Sequence, residues 1–314
     1  MGGVLALPLL LGAGTATAQS DDARFLTWLG GLRTDALANG ISQGTLDRSL
    51  VGVAPIPRII ELDRHQPEST ITFEKYQARI VNATRIRIGR ERLPEHRALL
   101  DEIGEKFGVQ PRFIVALWGI ETNFGQFTGG FRVIDALATL AYDGRRSKYF
   151  RGELLKALQI VEEGHIDPAE MKGSWAGAMG QSQFMPSSFL NFAQDYNGDG
   201  AKDIWNTQED VFASAANYLK RVGWRDDITW GRKVTLPADF DAALVSLDVV
   251  KPIGDWQRLG VLPTRDISAS ILRPGGEDGQ AFIIYDNYRA ILRWNRSHYF
   301  AMAVGQLSDR IAGR

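Results

Sequence analysis

Apolar residues recur at helical spacing along most of the chain. Over Arg24 to Gly52, Phe25, Leu26, Trp28, Leu29 and Leu32 fall on one predicted helical face. Leu37, Ile41 and Leu46 follow with glycine punctuation. Val53 to Thr72 carries Pro55, Pro57 and Pro67 and reads as a connector. Phe73 to Arg92 predicts one long arginine-rich helix with a solvated charged face. Glu95 to Asp227 is helical periodicity broken by glycine-rich turns, and from Trp230 the texture changes. Val234 to Leu236, Ala243 to Val249 and Ala281 to Tyr285 alternate as short strands do. Arg289 to Ile311 returns to helix. The order predicts an α+β, mostly α protein, with the last helix packing back onto the helical body.

Composition narrows the function. The chain has 314 residues, enough for a large core. Lys plus Arg number 36 against 37 Asp plus Glu, so no global positive field favours nucleic acid. The absence of cysteine excludes disulfides, thiolate metal sites, cysteine nucleophiles and a lipobox anchor. Val4 to Leu11 is an apolar run followed by Ala16, Thr17 and Ala18, the pattern of a cleavable export leader over residues 1–18. The run is too short for a membrane span. The mature chain is expected to be exported and soluble, without membrane insertion or lipidation. The four histidines are scattered, with no metal-ligand spacing.

Pro111 to Gly125 carries the most telling chemistry. Ile114, Leu117, Trp118 and Glu121 follow at i, i+3, i+4 and i+7, so a carboxylate continues an apolar stripe. Asn123 and Gly125 are stop signals that place Glu121 in the last turn. Burial and the carbonyl end of a helix both favour the neutral acid, the form a general acid for glycosidic cleavage requires. The pattern alone is equally that of an ordinary glutamate at a helix end. Trp175 to Pro186 follows, with Gly177 and Gly180 for close approach of backbone to a ligand, Gln181, Ser182 and Gln183 as polar groups, and Met179, Phe184 and Met185 as apolar faces. That mixture suits the hydroxyl edges and CH faces of sugars. Asp195 to Asp203 matches the start of a calcium loop with glycine at its sixth position, Gly200. Asn206 stands at position 12, where bidentate glutamate belongs, and Glu209 or Asp210 lies just beyond.

These motifs occur in one order: Glu121 to Gly125, Asp135 to Leu140, Tyr149 with Phe150, Gly177 to Gly180 with Gln183 to Ser188, the calcium-type loop, and Ala216 to Tyr218 with Gly223 and Trp224. Together they resemble the B-type, soluble periplasmic lytic murein transglycosylases, from about Phe25 to Val304. The resemblance implies a lysozyme-like core domain (76–229) with a helical N-terminal domain (19–75), a small β-rich domain (230–286) and a returning C-terminal helix (287–314). It implies cleavage of the β-1,4 bond between N-acetylmuramic acid and N-acetylglucosamine in peptidoglycan glycan strands, leaving 1,6-anhydromuramic acid ends. Glu121 matches the family's acid/base. Ser174, Gln183, Phe184, Tyr149, Tyr218, Tyr76 and Asn295 fall in the expected glycan groove. Trp294 and Phe300 stand where the family can carry tyrosines. Asp195, Asn197, Asp199, Ala201 and Asp210 are the implied ligands of a structural Ca²⁺, and no organic cofactor is expected. Asp135 and Asp143 are the nearest candidates for a second carboxylate, but nothing in the sequence orients them. A hydrolytic muramidase and a non-catalytic peptidoglycan-binding protein are the competing readings.

Overall fold

The computed structural model describes residues 13–65, 71–261 and 267–314, with side chains from residue 23. The apolar run of the expected leader and Pro67 lie outside the described residues. The backbone begins in α1 (Ala13–Ala38). Phe25, Leu29, Leu32 and Ala36 are its buried stripe, whereas Leu26 and Leu37 are exposed. Each is one residue, about 100°, round the helix from a buried neighbour, so the expected stripe was too wide. Helix α2 (Gln43–Ser49) is capped by Ser42, whose side chain accepts from the Thr45 amide. Ser42 also donates from its amide and hydroxyl to Glu162 Oε2, at 3.0 and 2.8 Å, pinning this corner to a later helix.

The expected connector contains a helix, α3 (Pro57–Arg64), with Pro57 in its first turn. There proline's missing N–H would be unpaired anyway and its fixed φ suits the helix, so Pro57 starts a helix within the expected connector. The single helix expected over Phe73–Arg92 is two, α4 (Phe73–Ile80) and α5 (Ala83–Glu95). Asn82 divides them: its side chain accepts from the Arg85 amide and begins the second helix.

Helices α6 (Arg97–Phe107) and α7 (Pro111–Thr122) follow, then strand β1 (Phe131–Arg132). After it come α8 (Val133–Asp143), α9 (Ser147–Glu162) and strand β2 (Lys172–Gly173), which pairs with β1. Helices α10 (Pro186–Phe192) and α11 (Gln208–Arg221) complete this part. Two cores result. Leu32, Leu46 and Ile59 share one with Leu137 and Leu154, so the N-terminal helices pack on α8 and α9. The other gathers Phe113, Ile114, Leu117 and Trp118 of α7 with Phe300, Val304 and Leu307 of the C-terminal helix.

The β-rich part holds strands β3 (Gly231–Val234) and β4 (Lys251–Pro252), helix α12 (Ile253–Arg258), and strands β5 (Ser268–Leu272) and β6 (Ala281–Ile284). The antiparallel order is β3-β6-β5-β4. Strand β6 is buried on both faces: Phe282 and Ile284 join the α7 core, while Ala281 and Ile283 join a smaller cluster around Trp256. The strand expected over Ala243–Val249 is instead a 3₁₀ turn at Ala242–Leu244, begun by the Asp241 side chain accepting from the Ala243 amide. An aspartate bonding its own following backbone competes with a strand ladder. Strand β5 was not expected, because Ser268, Ala269 and Ser270 carry almost no hydrophobic signal.

The last helix is also divided, into α13 (Asp286–Trp294) and α14 (His298–Ile311). Asn295 is extended, and the Ser297 side chain caps α14 by accepting from the Phe300 amide. This break brings Trp294 and Asn295 over the end of α7.

Candidate active site

Helix α7 ends at Asn123 in the left-handed region, and Phe124 and Gly125 continue there with φ of 61° and 81°. The turn folds Phe124 back onto the helix. A Cβ at Gly119 would lie 2.6 Å from the Phe124 ring, so glycine is what lets that ring seat. Trp118 Nε1 donates to Gln181 Oε1 at 2.7 Å, and Gln181 Nε2 donates to the Trp205 carbonyl at 2.9 Å. The Thr122 hydroxyl donates to the Gln181 carbonyl at 3.1 Å and accepts from the Gly125 amide. Thus the Glu121–Gly125 motif and the Gly177–Phe184 motif hold each other, and Glu121 is fixed at their junction.

Glu121 lies on the floor of a cavity of about 380 Å³, lined also by Tyr76, Arg79, Ile120, Asn295 and Phe300. Its carboxyl keeps a partial opening to this cavity while protein surrounds the rest. Trp294 Nε1 donates to Glu121 Oε1 at 2.7 Å. The indole is itself held by the Phe184 ring, 5.2 Å away, and the Tyr218 ring, 4.8 Å away. Tyr218 donates its hydroxyl to the Arg293 carbonyl at 2.6 Å. Burial pushes the Glu121 carboxyl up from 4.5 to about 7, and the indole N–H works against that rise by favouring the anion. A carboxylic acid balanced near neutrality can give up a proton and take one back.

The expected site residues separate into groups. Tyr76 and Asn295 share the cavity with Glu121. Phe184 and Tyr218 are buried behind the indole and support it. Gln183 donates to the Thr128 and Gly180 carbonyls at 3.0 and 2.9 Å, bracing the loop from a left-handed backbone. The Ser174 hydroxyl accepts from the Ala176 and Ala178 amides at 3.3 and 3.0 Å. Tyr149 does not line the Glu121 cavity. On α9 its neighbour Phe150 takes the buried position, which turns Tyr149 outward beside Arg145, Arg146, Lys148 and Lys156. Neither candidate for a second carboxylate reaches the site: Asp135 is 3.5 Å from Arg132, and Asp143 accepts from Arg64 at 2.9 Å. Among the described residues, Glu121 is the one carboxylate lining this cavity.

Sequence reasoning missed the bond between Trp294 and Glu121. Trp294 had been weighed as a stacking face, and 173 residues separate the pair in the chain. The signal that could have found it was the Asn295–Ser297 helix break, which aims the end of α13 at α7. Another depression, of about 540 Å³ and lined by Arg112, Asp226 and Tyr285 among others, has no comparable buried acid.

The calcium-type loop is compact. Asp195 accepts from the amides of Gly198, Asp199 and Gly200, at 2.8 to 3.1 Å. Asn197 Nδ2 donates to Asp199 Oδ2 at 3.0 Å. Gly198 and Gly200 have φ of 76° and 95°, so the chain coils around these oxygens. Asp210, fully buried, accepts from the Tyr196 and Asp203 amides at 2.7 Å each and holds both shoulders of the loop. Among the described residues no three His, Cys, Asp or Glu side chains converge as a metal cluster. The loop's donors are two carboxylates, an amide oxygen and the Ala201 carbonyl, with Asp210 adjoining. An all-oxygen set of this kind fits a hard cation such as Ca²⁺.

A single acid in a cavity lined by Tyr76, Phe300, Asn295, Arg79 and isoleucines is an arrangement that suits cleavage of a glycan, and the similarity to known proteins says of which kind. Residues 24–309 match the family model described as the transglycosylase SLT domain. The chain belongs to that family. It is 34% identical over 252 residues, 76% of this chain and 67% of the relative, to the membrane-bound lytic murein transglycosylase B of Escherichia coli K12. The crystal structure of SltB3 from Pseudomonas aeruginosa in complex with NAG-anhNAM-pentapeptide superposes with a TM-score of 0.90 at 44% identity, over 92% of this chain and 80% of that one. The Escherichia coli lytic transglycosylase Slt35, solved in complex with calcium, gives 0.78 at 30% identity, over 90% and 91%.

Proposed function

We propose that Glu121 is the sole acid/base of this peptidoglycan lytic transglycosylase. The observation that carries the reading is a carboxyl held near neutrality on the cavity floor, with no second carboxylate among the described lining residues. The enzyme cleaves the β-1,4 bond between N-acetylmuramic acid and N-acetylglucosamine. Neutral Glu121 gives its proton to the glycosidic oxygen as the C1–O bond breaks, and the bonding electron pair leaves with that oxygen. The positive charge developing at C1 is met by the muramic acid's own acetamido oxygen, the role a second carboxylate plays in ordinary glycosidases. Glu121, now anionic, takes the proton of the C6 hydroxyl while O6 bonds to C1 and closes the anhydro ring. Atoms balance without water.

Tyr76 and Asn295 contact the sugar nearest Glu121. Phe184 and Tyr218 act through the indole, Ser174 and Gln183 shape the loop wall, and Tyr149 serves a more distant part of the glycan. Mass spectrometry of digested peptidoglycan tests the reaction. Anhydro ends are lighter by one water than the hydrolysed ends a muramidase leaves, and a mere binding protein releases no soluble muropeptides.

The pH dependence follows from the same carboxyl. The first step needs the neutral acid, so kcat/KM, which reports the free enzyme, falls as pH rises through about 7. A rate that climbs steadily through that range contradicts the assignment.

The Asp195–Ala201 turn and Asp210 hold a structural Ca²⁺. The ion would stiffen the loop that continues into Trp205, whose carbonyl accepts from Gln181. Saturating calcium raises the melting temperature by about 5 °C and chelation reverses the rise. Asp199→Ala removes this response; a variant that still responds in full places the ion elsewhere. The protein acts in the periplasm as a monomer once the leader is removed. Among the described residues no helix is long and apolar enough to cross a membrane.

A further inference from the structure

The inference deepens the reading of Glu121 as acid/base and rests on it. A carboxylic acid has two unlike oxygens, a carbonyl that accepts hydrogen bonds well and a hydroxyl that carries the proton. An indole N–H can only donate. The Trp294 Nε1–H is directed at Glu121 Oε1 from 2.7 Å, so Oε1 is held as the carbonyl oxygen. The donor has little freedom to move. Its ring packs against Phe184 and Tyr218, which also touch each other, and the Tyr218 hydroxyl ties down the neighbouring Arg293 carbonyl at the end of α13.

We propose that Trp294 is a positioning residue that assigns the proton of Glu121 to Oε2, so that one oxygen both delivers the hydrogen to the glycosidic oxygen and recovers it from the C6 hydroxyl. In the first step the Oε2–H proton moves to the glycosidic oxygen and the negative charge stays on the carboxylate. In the second the C6 hydroxyl proton returns to Oε2. The indole bond persists throughout and is strongest while Glu121 is anionic, because hydrogen bonds to charged acceptors are about twice as strong as neutral ones. It therefore favours the charge-separated stage over the ground state, which is the condition for raising kcat.

Other groups around Glu121 leave this role to the indole. Helix α4 presents Tyr76 and Arg79 to the cavity, and α14 presents Phe300 and Ser297. The loop after β2 contributes Gln181 and Ser182, and α11 contributes Phe212 and Ala215. Gln181 is engaged with Trp118 and the Trp205 carbonyl. Arg79, with Tyr76, is the titratable company across the cavity. The hydrogen bond to the Glu121 carboxyl comes from Trp294.

The test compares wild type, Trp294→Phe, Trp294→Tyr and Glu121→Gln on soluble, uncross-linked glycan strands, with anhydro ends counted by mass. Phenylalanine keeps a ring against Phe184 and Tyr218 but removes the donor. Its kcat is expected to fall about tenfold to hundredfold with KM unchanged, the worth of one hydrogen bond to a charged group. The alkaline limb of its pH profile moves upward, since the bond that favours the anion is gone. Tyrosine, which keeps a donor, is expected above phenylalanine. A Phe variant with wild-type kcat and an unmoved alkaline limb overturns the proposal. So does a rise in KM alone, or equal activity of the Phe and Tyr variants. If Glu121→Gln still forms anhydro ends, the acid/base reading itself fails. If it is inert while Trp294→Phe is unchanged, that reading stands and the role of Trp294 alone is lost.

Discussion

Glu121→Gln is expected to lose formation of anhydro ends by about a thousandfold or more, the scale of a positioned acid and base removed together. Glutamine keeps the shape and can still accept from Trp294, so glycan binding should survive. The same substitution should make the fold more stable at alkaline pH. Glu121 has its pKa raised from 4.5 to about 7 on folding. Between those values the folded state holds a proton that the unfolded chain has released. Its contribution is thus fully present below 4.5 and lost as pH rises through about 7. Above that range the wild type bears a buried anion. Allowing for the carboxyl's partial opening to the cavity, the penalty is on the order of 2 kcal/mol. Melting curves should show the glutamine variant above wild type at alkaline pH and close to it near pH 4.5. An inactive variant that also melts lower at alkaline pH would point to a structural role.

The second large effect lies in the loop that clamps Glu121. Gly180 has φ of 62°, and a Cβ there would stand 2.6 Å from the Ile204 carbonyl oxygen. The left-handed backbone and the clash act together, and a backbone carbonyl cannot swing aside as a side-chain tip can. Gly180→Ala is expected to destabilise the protein by about 3 kcal/mol. For a chain of this size that is roughly 5 °C in melting temperature. The neighbouring Gln181 amide, which donates to the same Ile204 carbonyl at 2.8 Å, would shift with it and loosen the Trp118 and Thr122 contacts that seat Glu121. Activity should therefore fall even well below the melting transition. A substitution at Gly30, where an added Cβ meets nothing within 4 Å, serves as the control and should be near neutral.

How much was legible in the chain depended on distance along it. Glu121 was found because its apolar neighbours at i−3, i−4 and i−7 are local, and that stripe is buried as expected. The Gly177–Gly180 motif suggested backbone approach to a ligand, whereas the space a Cβ would need at these glycines is filled by the chain's own Leu137 and Ile204. Helix breaks were harder. Asn82 and Ser297 each cap the start of a new helix just after another has ended, yet periodicity runs through them unchanged. Strand β5 was invisible because its small residues are buried by partners far away in sequence, β4 and β6. That Tyr149 lies apart from the Glu121 cavity was illegible for a similar reason. Its motif is local, but which of Tyr149 and Phe150 turns inward is decided by how α9 packs on α8 and α10. The tie between Trp294 and Glu121 belongs to the same class: it exists only because α14 folds back along α7.

In the folded enzyme a substantial fraction of Glu121 stays protonated up to about pH 7. The most direct measurement is a carbon-13 NMR titration of the Glu121 carboxyl, assigned by the loss of its signal in Glu121→Gln. The account predicts a midpoint of about 7, and a midpoint at the ordinary glutamate value of 4.5 would contradict it.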